Sequence, residues 1–198
     1  MSDHYYTQQP GARHDRRTID TVLRGKSLRF TSDAGVFSKG DIDYGSRVLI
    51  EAMDIPDGSA VLDVGCGYGP IGITAAHLTP KGHVTMVDIN SRAVELAREN
   101  ALSNGIRNVT IMESDMLGAL GGQTFDVILT NPPIRAGKAV VHQIFEQSYD
   151  HLNKGGTLWI VIQKKQGSPS AVAKLESLFE SVEEVGKDKG YRILRAKK

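Results

Sequence analysis

Residues 60–72 read Ala60-Val61-Leu62-Asp63-Val64-Gly65-Cys66-Gly67-Tyr68-Gly69-Pro70-Ile71-Gly72. The stretch opens with a short apolar run of strand length and leads into a helix-compatible apolar run from Ile71 to Leu78. Glycines stand between them at 65, 67, 69 and 72. Glycine lets the backbone adopt positive φ and pass close to a ligand at little steric cost. The helix that follows presents free N–H groups and the positive end of its dipole. Strand, glycine turn and helix together make the start of a nucleotide-binding unit. Gly67-x-Gly69-x-x-Gly72 satisfies the dinucleotide pattern as written, so the stretch alone does not choose the cofactor.

Downstream, strands and helices alternate. Strands are expected at 60–64, 83–88, 109–112, 125–129 and 157–163, with helices at 70–78, 92–103, 139–152 and 168–179. Thr79-Pro80-Lys81-Gly82 and Asn104-Gly105 stop two of the helices, and Asn153–Gly156 makes a turn before the last of these strands. Ser91 is placed to cap the helix at 92–103, and Ser168-Pro169 opens the one after it as cap and N1 proline. Strands at 182–185 and 191–195 have no helix between them and must pair antiparallel. The expected fold is α/β: a doubly wound, mainly parallel, seven-stranded Rossmann-like sheet with an antiparallel C-terminal hairpin and helices on both faces.

Upstream, residues 1–30 are polar and basic, with one apolar cluster at Ile19, Val22 and Leu23 and a short strand candidate at 28–31. Gly35–Gly40 reads as a loop, and Asp41 or Asp43 as the cap of a helix over 44–53. The chain thus divides into a basic N-terminal extension, 1–34, and a single domain, 35–198.

The 198 residues suffice for one domain with a substantial core. Apolar content of 40% and charged content of 24% are those of an ordinary globular protein. A single cysteine excludes an internal disulfide, no apolar run approaches membrane-spanning length, and the polar N-terminus carries no secretory signal. A cytoplasmic protein with no membrane role is the default. Net charge is +1, but basic residues gather at the ends: six Lys/Arg against two acids over 13–29, six against one over 187–198. Such ends on a neutral body can grip a polyanion or simply be solvated. The six histidines have no metal-ligand spacing, so no metal is expected.

Ligands of open α/β sheets bind beyond the carboxyl ends of the strands, at the switch in strand order. That rule gathers Gly65, Gly67 and Tyr68; Asp88, Ile89 and Asn90; Asp115 and Met116; Asn131 to Ile134; and Lys164 and Lys165. Asp88, about 20 residues past the glycines and ending a strand, is placed to hold ribose hydroxyls. Asp115 is placed either to accept from an adenine amino group or to satisfy local amides. Asn131-Pro132-Pro133-Ile134 separates the cofactors. The Asn131 side-chain carbonyl and the Pro132 backbone carbonyl can together accept both N–H groups of a planar exocyclic amine. That aims the nitrogen lone pair at an electrophilic methyl, and the proton becomes acidic once the nitrogen is alkylated. Rate then comes from positioning and electrostatics.

Asp63-x-Gly65-x-Gly67-x-Gly69, Asp88, Asp115 and Asn131–Ile134 resemble the motifs of class I S-adenosylmethionine-dependent methyltransferases. Gly35-Val36-Phe37-Ser38-Lys39-Gly40 with Asp43-Tyr44-Gly45-Ser46 is similar to the segment preceding the cofactor loop in ribosomal small-subunit RNA (guanine-N2) methyltransferases. The resemblance runs from about Gly35 to the C-terminus. It implies S-adenosylmethionine contacts from Asp63, Gly65, Gly67, Tyr68, Asp88, Ile89, Asn90, Asp115, Met116 and Asn131. It implies catalysis at Asn131, Pro132, Pro133 and Ile134, with Phe37 and the 43–46 stretch over cofactor and acceptor. Many Asn-Pro-Pro enzymes have Phe or Tyr next. Ile134 gives no π-stacking, so either Phe37 or Tyr44 takes that task or the substrate differs from the family's usual one. Arg135, Lys138, Lys164 and Lys165 fall on the same edge and are expected to meet RNA phosphates.

The expected function is methylation of guanine N2 in ribosomal RNA, either naked or in a ribosomal subunit. Methylation of a protein glutamine amide or of adenine N6 is the enzymatic rival. An NAD-dependent oxidoreductase, in which Asn131-Pro132-Pro133 has no task, and a non-catalytic S-adenosylmethionine-binding module are rivals of different class.

Overall fold

The computed structural model describes residues 7–198; the first six residues of the expected extension lie outside the described residues. An antiparallel hairpin, β1 (Arg17–Leu23) and β2 (Lys26–Ser32), comes first, followed by α1 (Tyr44–Ala52). The alternating run is β3 (Ala60–Val64), α2 (Pro70–Leu78), β4 (His83–Asp88), α3 (Ser91–Ser103), β5 (Val109–Glu113), β6 (Phe125–Thr130), α4 (Lys138–His151), β7 (Leu152–Gln163) and α5 (Ser168–Leu178). The strands β8 (Ser181–Asp188) and β9 (Tyr191–Lys197) close the chain. The main sheet has seven strands in the order β5-β4-β3-β6-β7-β9-β8. Its first five pair in parallel, while β9 runs antiparallel to both β7 and β8. The order reverses between β3 and β6, so both the glycine turn after β3 and Asn131 after β6 sit at the switch.

A parallel strand is covered on both faces, hence its near-continuous apolar composition. Alternation along β3 divides its residues between two layers. Val61 joins one core with α1, α2, α3 and the hairpin, whereas Leu62 and Val64 join the other with α4 and α5.

Sequence reading missed most of the hairpin. Ile19, Leu23, Leu28 and Phe30 are buried in the same core as the sheet. Asn100 on α3 and Asn104 at its C-cap, four apart and therefore on one side, hold β2 by its backbone. Asn100 accepts from Thr31 N–H at 2.7 Å and donates to Thr31 O at 2.9 Å. Asn104 does the same to Arg29, at 3.0 and 2.8 Å. The side chains thus imitate a neighbouring strand. Two smaller differences concern ends of elements. Asn90, not Ser91, caps α3, accepting from Ala93 N–H at 3.2 Å. The turn expected at 153–156 is drawn into β7, with Gly155 at φ +79° and a shift in register against β6.

Candidate active site

A cavity of about 410 Å³ opens at the carboxyl edge between β3, β4, β5 and β6. Gly65, Gly67, Asp88, Ile89, Asp115, Met116, Asn131, Pro132, Pro133 and Phe37 all line it, as the edge rule expects. Ser114, beside Asp115 on the same edge, lines it too, as do residues not singled out from sequence: Val64, Val87, Ala93, Val140 and Ile144. They are apolar strand and helix residues whose only sequence signal is their place in the alternation.

The four glycines divide by task. Gly65 and Gly67 have φ of +72° and +55°, and a side chain at either would meet nothing within 4 Å, so their backbone faces open space in the cavity. A β-carbon at Gly72 would lie 2.7 Å from the Met86 side chain, and one at Gly69 would lie 2.8 Å from Ile73. Those two let α2 settle against β4. Asp88 ties the loop down: its Oδ2 accepts from Gly67 N–H at 2.8 Å and its Oδ1 from Asn90 N–H at 2.9 Å. The Ile89 amide also donates to this carboxylate, which as a four-site acceptor still has room for a ligand hydroxyl. Burial raises the Asp88 carboxyl above its ordinary value, against the pull of these amides.

Three expected cofactor residues stand behind the cavity wall. Asp63 is wholly buried, with no well-formed hydrogen bond to either oxygen among the described residues. Burial lifts its carboxyl to about 7; the Asp88 charge adds to this and the Gly72 amide opposes it. Tyr68 is buried and donates to Ser38 O and Asp41 O, both at 3.1 Å, pinning the 33–43 loop over the glycine turn. Burial raises its phenol, which stays protonated. Asn90 donates to Gly35 O at 2.8 Å, fastening the other end of that loop. Burial also pushes the Cys66 thiol up, which argues against a nucleophile there.

The Asn131 side chain in the wall is clamped from one side. Its Nδ2 donates to Asp43 Oδ2 at 2.9 Å and to Ser46 Oγ at 3.0 Å. A carboxylate only accepts, so the amide nitrogen must face Asp43 and the carbonyl oxygen is the group left for a ligand. Asp43 is itself fixed as the N-cap of α1, accepting from Ser46 N–H at 2.9 Å. Helix, cap and clamp are one unit. Beside it, Ile134 N–H donates to Pro132 O at 2.9 Å across Pro133 at φ −75°, ψ 80°, an inverse γ-turn. One lone pair of the Pro132 carbonyl remains.

Other expected residues lie elsewhere. Ile134 does not line this cavity. With Lys138 it borders a separate space of about 190 Å³ between α4 and α5. Arg135 is exposed in the short 3₁₀ turn before α4, and Lys165 is exposed after β7. Lys164 lies in a third hollow, beside the β8–β9 turn. The Tyr44 hydroxyl donates to Asp188 in that turn. Phe37, 38% exposed, sits at the mouth of the main cavity.

A nucleoside cofactor of either kind suits the glycine loop and Asp88. The fold and the family match make the protein an S-adenosylmethionine-dependent methyltransferase of class I. The chain belongs to the methyltransferase small domain family, whose profile matches residues 27–195. It is 54% identical over 200 residues to the uncharacterized protein YbxB of Bacillus subtilis, covering 100% of both chains. It is 34% identical over 199 residues to the ribosomal RNA large subunit methyltransferase G of Pseudomonas putida, covering 98% of this chain and 52% of that one. The 16S rRNA N2-guanine methyltransferase RsmC of T. thermophilus, solved with AdoMet and guanosine, superposes with a TM-score of 0.82 at 27% identity, over 92% of this chain and 50% of that one. The chain spans about half the length of the rRNA methyltransferases it matches.

Proposed function

We propose that this protein methylates the exocyclic N2 of a guanine in ribosomal RNA. The observation that carries the reading is Asn131, held by Asp43 and Ser46 so that its carbonyl is offered to the cavity beside that of Pro132. The names of the rRNA methyltransferases it resembles support the substrate class.

S-adenosylmethionine, when bound, supplies the electrophilic methyl. Gly65 and Gly67 would border its methionine part, with Asp63 holding the loop from beneath. Asp88 would take the ribose hydroxyls, Asp115 the adenine amino group, and Ile89 and Met116 the faces of the adenine. Tyr68 and Asn90 would serve by fixing the loop that carries Phe37. Asn131 Oδ1 and Pro132 O would accept the two N–H groups of the target amine and orient its lone pair. Pro133 would stiffen this pair. No carboxylate base is required, because the nitrogen sheds a proton after alkylation. Such positioning contributes several kcal/mol in well-oriented reactions, roughly 7–11 at the limit. The target base must leave its stack to reach the cavity. Phe37 is placed to pack on it, since Ile134 lies in the neighbouring space. Tyr44, Arg135, Lys138, Lys164 and Lys165 would meet the surrounding RNA. In this reading residues 35–198 are the catalytic domain, residues 1–34 a basic extension, and the site of action the cytoplasm.

The test is transfer of labelled methyl from S-adenosylmethionine into naked ribosomal RNA, ribosomal subunits and total protein, followed by identification of the modified nucleoside. N2-methylguanosine is the expected product. N6-methyladenosine would change the base, and label confined to protein glutamine would overturn the RNA reading.

A further inference from the structure

We propose that the hollow beside the β8–β9 turn is a second RNA subsite, gripping the phosphodiester backbone next to the methylated base. This rests on the reading of RNA as substrate. The hollow has a volume of about 500 Å³ and is lined by Lys164, Lys187, Lys189, Tyr191 and Arg192, with Glu184 and Asp188 as its acids.

The acids are engaged within the chain. Glu184 pairs with Arg192, whose guanidinium also donates to Ser168 Oγ, and Asp188 accepts from the Tyr44 hydroxyl. Lys164, Lys187 and Lys189 have no carboxylate partner among the described residues. Four of the six basic residues in the other stretch are engaged within the chain. Arg16 pairs with Glu99, Arg17 with Asp15 and Arg29 with Asp20. Arg24 donates to Ile50 O at 2.9 Å and Met53 O at 2.8 Å, closing the end of α1. Three lysines free of carboxylates thus gather in this one hollow.

The hollow is tied to the proposed reaction centre through the start of α1. Asn131 is held by Asp43, and Tyr44 is the next residue. The Tyr44 and Tyr191 ring centroids lie 5.7 Å apart, and the Lys189 ammonium is 4.9 Å from the Tyr44 ring centroid. Gly45 permits this: a β-carbon there would stand 2.9 Å from Tyr191 Cε1, so the ring lies directly on the first turn of α1. Sheet order then sets the spacing. Cofactor at β3 and β4, amine at β6 and lysines at the start of β9 follow one another along a single edge, and β6 and β9 are separated only by β7, roughly 10 Å apart. Aromatic rings beside lysines without a carboxylate partner suit a single strand, where bases stack and phosphates are neutralised. An acidic peptide would use the lysines but not the rings.

The test uses the Lys187→Ala/Lys189→Ala double variant, two exposed positions at the hairpin end. Binding of a single-stranded ribosomal RNA fragment is measured across salt concentrations, with methyl transfer to the same RNA. Each lost phosphate contact lowers the salt slope of log affinity by about 0.7, so a decrease of about 1.4 is expected. KM for RNA should rise about tenfold or more at low salt, with kcat at saturation and affinity for S-adenosylmethionine unchanged. Wild-type slope and KM in the double variant would overturn the subsite while leaving the RNA reading intact. Wild-type protein that labels only protein glutamine would overturn both.

Discussion

Asn131 is useful only in the orientation that Asp43 and Ser46 impose. Asn131→Ala is expected to lower kcat by about 10²–10³, the cost of losing one preorganised polar group, with S-adenosylmethionine affinity largely kept; single-turnover kinetics and calorimetric titration check the two parts. Asp43→Ser separates clamp from cap. Serine still caps α1, so unfolding free energy should change by less than about 1 kcal/mol, while its shorter side chain releases Asn131 and transfer falls. Asp63 has the opposite character, a carboxyl with no well-formed hydrogen bond, raised to about 7 chiefly by burial. Between its ordinary value of 3.8 and about 7 the folded chain holds a proton that the unfolded chain has released. Stability contributed by this group is therefore lost as pH rises through that window, then levels off. Asp63→Asn cannot titrate. Urea titrations from pH 4 to 8 should show a flatter profile for the variant than for wild type.

The β1–β2 hairpin depends on α3 more than its polar sequence implies. Asn100 is fully buried and makes three bonds, two to Thr31 and one, at 2.8 Å, to Tyr68 O. It links hairpin, helix and glycine turn. Asn100→Ala strands buried backbone groups, each of which costs about 1–3 kcal/mol unpaired. A drop of about 2–4 kcal/mol in unfolding free energy is expected, and hydrogen exchange should show β2 losing protection before the parallel strands. Equal protection throughout would mean that the hairpin is held by its apolar residues alone.

Ligand and fold are linked across the whole chain, because the cavity draws on β3, β4, β5, β6, α4 and the 33–43 loop at once. S-adenosylmethionine at a hundredfold excess over Kd should stabilise the protein by about 2.7 kcal/mol. For a chain of this size that raises Tm by about 5–10 °C. Thermal melts monitored by circular dichroism check this, with NAD at equal concentration expected to leave Tm unchanged.

Local sequence determined the alternating strands and helices, the antiparallel end and the carboxyl edge. Those follow from hydrophobic period and turn chemistry, which act over a few residues. Most cavity residues were legible for that reason: a parallel strand's last residue must emerge at the edge, whatever follows it. Pairing across the chain was not legible. Asn131 and Asp43 are 88 residues apart, and Asn100 and Thr31 are 69 apart. Which donor meets which acceptor depends on how the chain returns, and residue type alone does not encode that. The same holds for charge. Composition counted two basic ends alike, but folding brought Asp15, Asp20 and Glu99 to the arginines of one and left Lys187 and Lys189 of the other without a carboxylate among the described residues.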